Sequence, residues 1–467
     1  MRVLLVNTIN KSTYYSTPDL GLGYLASVLR KAGHSVNILD CNNEKLNFKM
    51  FTEQLKTKYF DLDAIGFKIF STDLASAKRC LSITKTIMPK VKIIIGGPHP
   101  SYASPYTLMD YFSEADYGFR GEAEIGLPIL IDLIENFVNP KPNDLANIPG
   151  LIWRQNGKII ANKRGFVREL DSIGFPAWDL IDPRKYQFQA GYYFRGKVVA
   201  PIIATRGCPF KCSYCAAYLI NGKQIRKRTP QNIIEEIRLL HEKYGVEKVV
   251  FVDDNFNYNK SLVMDFCQRL IDTQIKIKWT CFGIRLDRLN KEMLKLMEAS
   301  GCEMISVGVE SGSQEILNHM RRGMTLEDIR GQISLIRKTT KIKVNANFII
   351  GYPKETKKDI NQTIKFAKTL PIHLATFYAF QPIPGTPIYK EILKSRKGLE
   401  KIDYSSLDMD KKPFVPQALT KQQFLWLFRK AWLSFYLRPK ILFPLLRDTR
   451  LTQLKFLIKR VFRTLIK

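Results

Sequence analysis

Three cysteines stand at a spacing suited to iron–sulfur chemistry. They lie in the loop Thr205-Arg206-Gly207-Cys208-Pro209-Phe210-Lys211-Cys212-Ser213-Tyr214-Cys215, which follows an apolar run from Val198 to Ala204. A four-iron cubane needs a thiolate or a substitute at each iron, so three thiolates on one loop leave one iron open to bind and activate a second molecule. A structural zinc is the plainer alternative. It wants four protein ligands, usually from C-x2-C pairs, and the other cysteines (Cys41, Cys80, Cys267, Cys281 and Cys302) supply no such pair. Three buried cysteines that bind nothing are the other alternative. The irregular spacing of the eight cysteines is not a disulfide framework, and points to a reducing cytosol.

Such a loop must be carried by elements that bring further groups to it. Strands are predicted from Val198 to Ala204, Lys248 to Val252, Ile277 to Phe282, Met304 to Val309, Val344 to Ile350 and Ala375 to Phe380. Between them run helical patterns such as Ile233, Ile237, Leu240 and Met293, Leu296, Met297. Six strand–helix units of this length predict a partial parallel (β/α)6 barrel over residues 196–415, with its chemistry at the carboxyl-terminal mouth. The cysteine loop follows the first of these strands.

Later strands end in polar segments: Val252-Asp253-Asp254-Asn255-Phe256, Val307-Gly308-Val309-Glu310-Ser311-Gly312-Ser313, Phe348-Ile349-Ile350-Gly351-Tyr352-Pro353 with Glu355 beyond, and Phe380-Gln381-Pro382-Ile383-Pro384-Gly385-Thr386. Taken singly, each acidic residue also reads as a helix cap or a solvated strand end. Their joint order behind the cysteine loop resembles the radical S-adenosylmethionine (radical SAM) enzymes. The resemblance implies a 4Fe-4S cluster on Cys208, Cys212 and Cys215, with the open iron chelated by the amino and carboxylate groups of S-adenosylmethionine. It implies Asp253, Asp254 and Asn255 beside the methionine ammonium, and Glu310 and Ser311 beside the methionine and ribose. Gly351 and Gln381 fall near the adenine.

The first 140 residues alternate strand candidates (Val3 to Val6, Val36 to Leu39, Ala64 to Phe67, Val91 to Ile95) with amphipathic stretches, which predicts a doubly wound parallel sheet with ligands beyond its strand ends. The order Gly21-Leu22-Gly23-Tyr24, Gly33-His34, Gly96-Gly97-Pro98-His99-Pro100, Gly121-Glu122 is similar to the Rossmann-like cobalamin-binding domains fused to radical SAM cores. That resemblance implies cobalamin near Asn7, Gly96, Gly97, His99, Gly121 and Glu122. No Asp-x-His-x-x-Gly segment occurs, so it also implies cobalt held without a protein imidazole.

Residues 141–195 read as a linker containing a hairpin around Asn156-Gly157. Residues 416–467 read as a basic helical tail. Leu425, Phe428, Trp432, Phe435 and Tyr436 recur at helical spacing, and a second set follows at Leu451, Leu454, Ile458, Val461, Phe462 and Leu465. From Lys421 onward there are twelve basic residues and one acidic, Asp448, within an overall charge of +30. Charges interrupt every apolar run before it could span a bilayer. Three readings stand side by side: a helix lying on an anionic membrane surface, a helical cap on the barrel, and a nucleic-acid-binding segment. The N-terminal apolar run is too short for a signal peptide.

The expected activity is radical initiation through a 5′-deoxyadenosyl radical, followed by methylation of an unactivated carbon in a small, lipid or isoprenoid substrate. Oxidation or cyclisation of a tetrapyrrole or lipid, as in the oxygen-independent ring cyclases of the same family, is the alternative. A non-enzymatic cobalamin or iron–sulfur sensor is a third class. The expected partners are the substrate and a reducing donor such as flavodoxin or ferredoxin, and the expected location is the cytoplasm, with contact to the inner face of the membrane through the tail. No RNA-binding module is legible, so no nucleic-acid partner is expected.

Overall fold

The computed structural model describes residues 1–10, 17–137, 140–186, 198–395 and 414–448. Its first sheet is built on Val- and Ile-rich runs buried on both faces, as parallel strands covered by helices must be. The strands are β1 (Arg2–Asn7), β2 (Ser35–Asp40), β3 (Ala64–Lys68), β4 (Lys92–Gly96), β5 (Tyr117–Phe119), β6 (Leu151–Gln155) and β7 (Lys158–Ala161), in the spatial order β2-β1-β3-β4-β5-β6-β7. The first five are parallel. The order reverses between β1 and its two neighbours, so the crevice for a ligand opens beyond Asn7, Lys68 and Gly96.

The hairpin differs from its reading as part of a linker. Strands β6 and β7 pair antiparallel, and β6 pairs onto β5, so residues 151–161 belong to the first sheet. Asn156 and Gly157 have φ of 49° and 75°, the left-handed pair that the tightest hairpin turn needs.

The second sheet has six parallel strands, β8 (Val199–Ile202), β9 (Lys248–Phe251), β10 (Lys278–Ile284), β11 (Cys302–Glu310), β12 (Lys343–Ile350) and β13 (Leu374–Ala379). They stand in simple sequence order, so the sheet is a barrel left open between β13 and β8. Alternation settles which side chains face where. Ile305, Val307, Val344, Ala346, Ala375 and Phe377 join the core beneath the outer helices. Ser306, Asn345, Asn347 and Thr376, one residue out of phase, hydrogen-bond to one another on the inner face.

The helix Lys421–Tyr436 opens on a capping box, Thr420 with Gln423. It lays Phe424, Leu427, Ala431 and Phe435, all fully buried, against the barrel's outer layer. Trp432 meets Phe377 edge to face, and the Tyr436 hydroxyl donates to the Ala375 carbonyl at 2.7 Å. Of the apolar stripe read as a candidate for a membrane surface, Phe435 is buried here, and Leu425, Phe428, Trp432 and Tyr436 are half-buried against the same core. Among the described residues no helix is long and apolar enough to cross a membrane. The second set, from Leu451 to Leu465, lies outside the described residues.

Candidate active site

The cysteine loop leaves β8 at the barrel mouth, and its base is fixed from the neighbouring strand end. The buried carboxylate of Asp253 accepts from the Ala204 amide (3.1 Å), the Thr205 amide (2.5 Å) and the Thr205 hydroxyl (2.6 Å). Gly207 has φ 96°, and a Cβ there would meet the Gln224 carbonyl oxygen at 2.2 Å. On the far side the Ser213 amide donates to the Met320 carbonyl at 3.1 Å, and its hydroxyl bonds Tyr352 at 2.9 Å. A loop pinned at both ends holds its thiols in place before any metal arrives.

The thiols suit a cluster better than a single ion. Among the described residues, the only three potential ligand atoms that all lie within 4.8 Å of one another belong to His34, Asp132 and Glu135, at the opposite end of the first sheet. At least one pair of the loop sulfurs is thus more than 4.8 Å apart, wider than the edge of about 3.8 Å that a tetrahedral zinc with bonds of about 2.3 Å imposes. Burial pushes the Cys215 thiol up to about 12 and raises Cys208 as well. Only a cationic centre would keep such thiols deprotonated. Beside them the Asn255 side-chain amide is buried, and its hydrogen bond to Cys208 works against the rise that burial gives that thiol.

Two arginines that carry no sequence signal complete the mouth. Arg322 is buried, donates from Nη2 to the Gly308 carbonyl at 2.7 Å, and leaves Nε without a partner. Arg285 pairs with Asp287 through Nε (2.9 Å) and Nη2 (3.0 Å), lies 3.7 Å from the Phe210 ring centroid in the cysteine loop, and leaves Nη1 without a partner. Glu310 has φ 70° at a register shift of β11 against β12. Burial raises its carboxyl above the usual value, opposed by the Arg322 guanidinium and a hydrogen bond from Tyr214. Gly308 leaves room for both side chains, since a Cβ there would sit 2.2 Å from Glu310 Oε1 and 3.0 Å from Arg322 Nη2.

The remaining residues predicted around the second ligand divide. Asp254 lines the cavity described below and accepts from Asn221 at 2.7 Å. Gln381 follows β13, half-buried. Ser311 is fully buried and bonded to Thr363 (3.2 Å), while Gly351, φ 88°, packs its backbone on Phe424. Glu355 accepts from the Gly351 and Tyr352 amides at 2.6 and 3.0 Å and so shapes the turn after β12. Burial lifts the Glu355 carboxyl from its ordinary 4.5 to about 8. The folded protein then binds this proton more tightly than the unfolded chain, so stability falls as pH rises from about 4.5 to 8. Glu355→Gln, which keeps the acceptor, is expected to flatten the dependence of Tm on pH across that window and to raise Tm at pH 8 by about 3 °C. An unchanged slope would show that Glu355 does not hold the proton.

A cavity of about 410 Å³ joins the two sheets. Lys68, Gly96, Gly97, Gly121 and Glu122 line it from the first sheet, and Thr205, Arg206, Asp253 and Asp254 from the barrel. Gly97, φ 97°, sits where a Cβ would press on Ile69 and Lys68 at 3.0 to 3.3 Å. The structure places two predicted contacts elsewhere. Asn7 donates to Asp40 at 3.1 Å, and His99 is buried against Ser71 at 2.9 Å, where desolvation lowers it to about 4. Neither lines the cavity.

The Radical SAM superfamily profile matches residues 202–367, and the B12 binding domain profile matches residues 6–131. An uncharacterized methyltransferase of Pyrococcus horikoshii is 32% identical over 100% of this chain and 98% of its own length. The chain belongs to the B12-binding radical SAM family. Another relative, an anaerobic magnesium-protoporphyrin IX monomethyl ester cyclase of Cereibacter sphaeroides, is 26% identical over 91% of this chain and 68% of its own. In fold, this radical SAM chain superposes on the cobalamin-dependent S-adenosylmethionine radical enzyme OxsB with a TM-score of 0.73 at 16% identity, covering 99% of this chain and 71% of that one. The cofactors of this radical SAM enzyme are a 4Fe-4S cluster, S-adenosylmethionine and cobalamin.

Against that background the role of Glu122 changes. Its carboxylate takes a two-pronged bond from Arg226 (2.6 and 2.7 Å) and accepts from the Val167 amide at 2.8 Å, while Arg206 pairs with Glu124 at 2.7 Å. These buried ion pairs fasten the B12 domain to the radical SAM core. Removing one partner would leave an uncompensated buried charge, so Glu122→Ala is expected to cost about 3 kcal/mol or more. The double replacement of Glu122 and Arg226 by Met should recover most of it, as read from thermal unfolding. Equal losses in both variants would contradict the ion-pair account.

Proposed function

We propose that this enzyme transfers a methyl group to an unactivated carbon of a small, largely apolar substrate, with lipids and isoprenoids the first class to test. The observation that carries the reading is the shared cavity, in which the ends of the first-sheet strands face the cysteine loop. When bound, the cluster and S-adenosylmethionine supply a carbon radical, and cobalamin supplies the methyl group. The chain's own residues bind and orient. Cys208, Cys212 and Cys215 would ligate the cluster. Arg285 and Arg322 carry buried N–H groups without partners, which suits the carboxylate of S-adenosylmethionine. Glu310 and Asp254 would face its cationic and hydroxyl groups, Gly351 and Gln381 the adenine. Asp253, Ser311 and Glu355 act indirectly by fixing backbone. Gly96, Gly97 and Gly121 let the corrin approach the strand ends, and Leu20, Leu25, Ile203 and Val252 give the cavity aliphatic walls.

The cyclase relative supports a second reading, in which the same radical oxidises or cyclises a tetrapyrrole. S-adenosylmethionine carrying a deuterated methyl group separates the two. Anaerobic holoenzyme incubated with a cellular lipid extract is expected to yield a product heavier by the labelled methyl. Turnover to 5′-deoxyadenosine without label in any product would refute methyl transfer and favour oxidation. The free cysteines fit a reducing cytoplasm as the enzyme's location.

A further inference from the structure

The radical chemistry consumes one external electron for each S-adenosylmethionine cleaved, so a reductant must reach the cluster loop from outside. The cavity side of that loop is covered by the first domain through Glu122, Glu124, Arg206 and Arg226. Its Phe210 side is covered by Arg285 and Tyr258. The third side is different. A separate cavity of about 300 Å³ is lined by Ser213, Asn318, His319, Arg321, Pro387, Ile388 and Glu391, and it shares no lining residue with the first. Ser213 is the chain neighbour of Cys212, so one residue separates this outer concavity from a cluster ligand.

The groups around the concavity are held in place and carry positive charge. His319 bonds the Tyr352 hydroxyl at 2.7 Å, and that hydroxyl bonds Ser213, so the wall is tied to the cysteine loop itself. Glu391, the acid at the rim, is already paired with Lys354 at 3.1 Å and with His319 at 3.4 Å. Arg321 and Lys390 are exposed beside it. An anionic surface meeting this rim would gain attraction one residue away from a cluster ligand, and electron transfer falls off exponentially with distance. Opposite charge chiefly speeds encounter and fixes orientation, which is what a transient redox contact requires.

We propose that the concavity around Ser213, His319, Arg321 and Lys354 is the docking surface for an acidic, low-potential electron-carrier protein. In the step it serves, the carrier is oxidised by one electron and the 4Fe-4S cluster is reduced by one, with no atom or proton crossing the interface. The proposal rests on the radical reading of the cluster loop.

The test uses anaerobic holoenzyme with two carriers, an acidic 4Fe-4S ferredoxin and an acidic flavodoxin. Binding is read by calorimetry at low and high salt, and S-adenosylmethionine cleavage is driven either by the reduced carrier or by titanium(III) citrate. For at least one carrier, Arg321→Glu with Lys354→Glu is expected to weaken Kd tenfold or more at low salt, with a smaller effect at high salt. Carrier-driven cleavage should fall in parallel, while titanium-driven cleavage and iron content stay unchanged. Lys295→Glu, the same charge change on the exposed helix Lys291–Ala299, should leave Kd as it was. An unchanged Kd in the double variant, an equal loss in Lys295→Glu, or failure of both carriers to bind would overturn the proposal. If the double variant loses iron, Arg321→Gln with Lys354→Gln is read by Kd alone, and a threefold loss or more is expected. Failure of titanium-driven cleavage in the unaltered enzyme would instead sink the radical reading, leaving the carrier Kd as the separate measure of docking.

Discussion

Truncation after Gln417 is expected to give a protein that no longer folds to a soluble form. The helix Lys421–Tyr436 buries Phe424, Leu427, Ala431 and Phe435 completely, and Phe424 packs on the backbone of Gly351 at the end of β12. At about 2 kcal/mol for each large side chain returned to water, the loss approaches about 6 kcal/mol, comparable with the whole stability of many domains. The exposed outer layer of β13 would add an aggregation surface. The measurement is the soluble fraction and Tm of the truncated chain beside a Phe443→Ser variant, since Phe443 is 68% exposed on the next helix and its change should alter neither. A soluble truncated protein with an unchanged Tm would show that the helix is dispensable to the barrel.

Replacing Asp253 is expected to strip the cluster while sparing the sheet. Three donors, the Ala204 and Thr205 amides and the Thr205 hydroxyl, converge on its carboxylate. Asp253→Ala would leave them buried and unsatisfied at a penalty of about 1 to 3 kcal/mol each. That penalty falls on the base of the cysteine loop, where the chain must hold one conformation to present three thiols. Anaerobically reconstituted Asp253→Ala should retain less than about a quarter of the iron per chain, an allowance of about 1 kcal/mol in loop order. Asp254→Ala, whose carboxylate hydrogen-bonds Asn221 and not the backbone of the cysteine loop, should keep its iron. Full loading in Asp253→Ala would remove the carboxylate from the assembly of the site.

The comparison of these two neighbours shows where sequence reading stops. Both aspartates were legible as acids at a strand end beside the cysteine loop, and the parallel α/β architecture followed from the spacing of the apolar runs. Both line the cavity, and which of them spends its carboxylate on the backbone of the cysteine loop depends on local backbone direction, which leaves no mark on composition. Ser311 and Glu355 are similar cases, polar residues at the expected strand ends whose hydrogen bonds go to Thr363 and to the Gly351 amide. Arg285 and Arg322 were invisible for the opposite reason. In a chain with 73 lysines and arginines, nothing in the sequence distinguishes the two whose guanidinium groups are buried at the mouth. The tail helix was legible as an amphipathic stripe, but periodicity names a face without naming what covers it. The 151–161 hairpin was legible as a hairpin, and only pairing with β5 assigns it to the first sheet.

The acid pair Glu122 and Glu124 belongs to one domain and the base pair Arg206 and Arg226 to the other, and all four are buried. Two halves that meet through matched internal charges are not interchangeable parts. A chimera joining this barrel to a foreign corrin-binding half would inherit two guanidinium groups with no counter-charge, and the opposite exchange would strand two carboxylates. The spacing between the two chemistries therefore travels as a single heritable unit, and any recombination that preserves it must carry both sides of the seam at once.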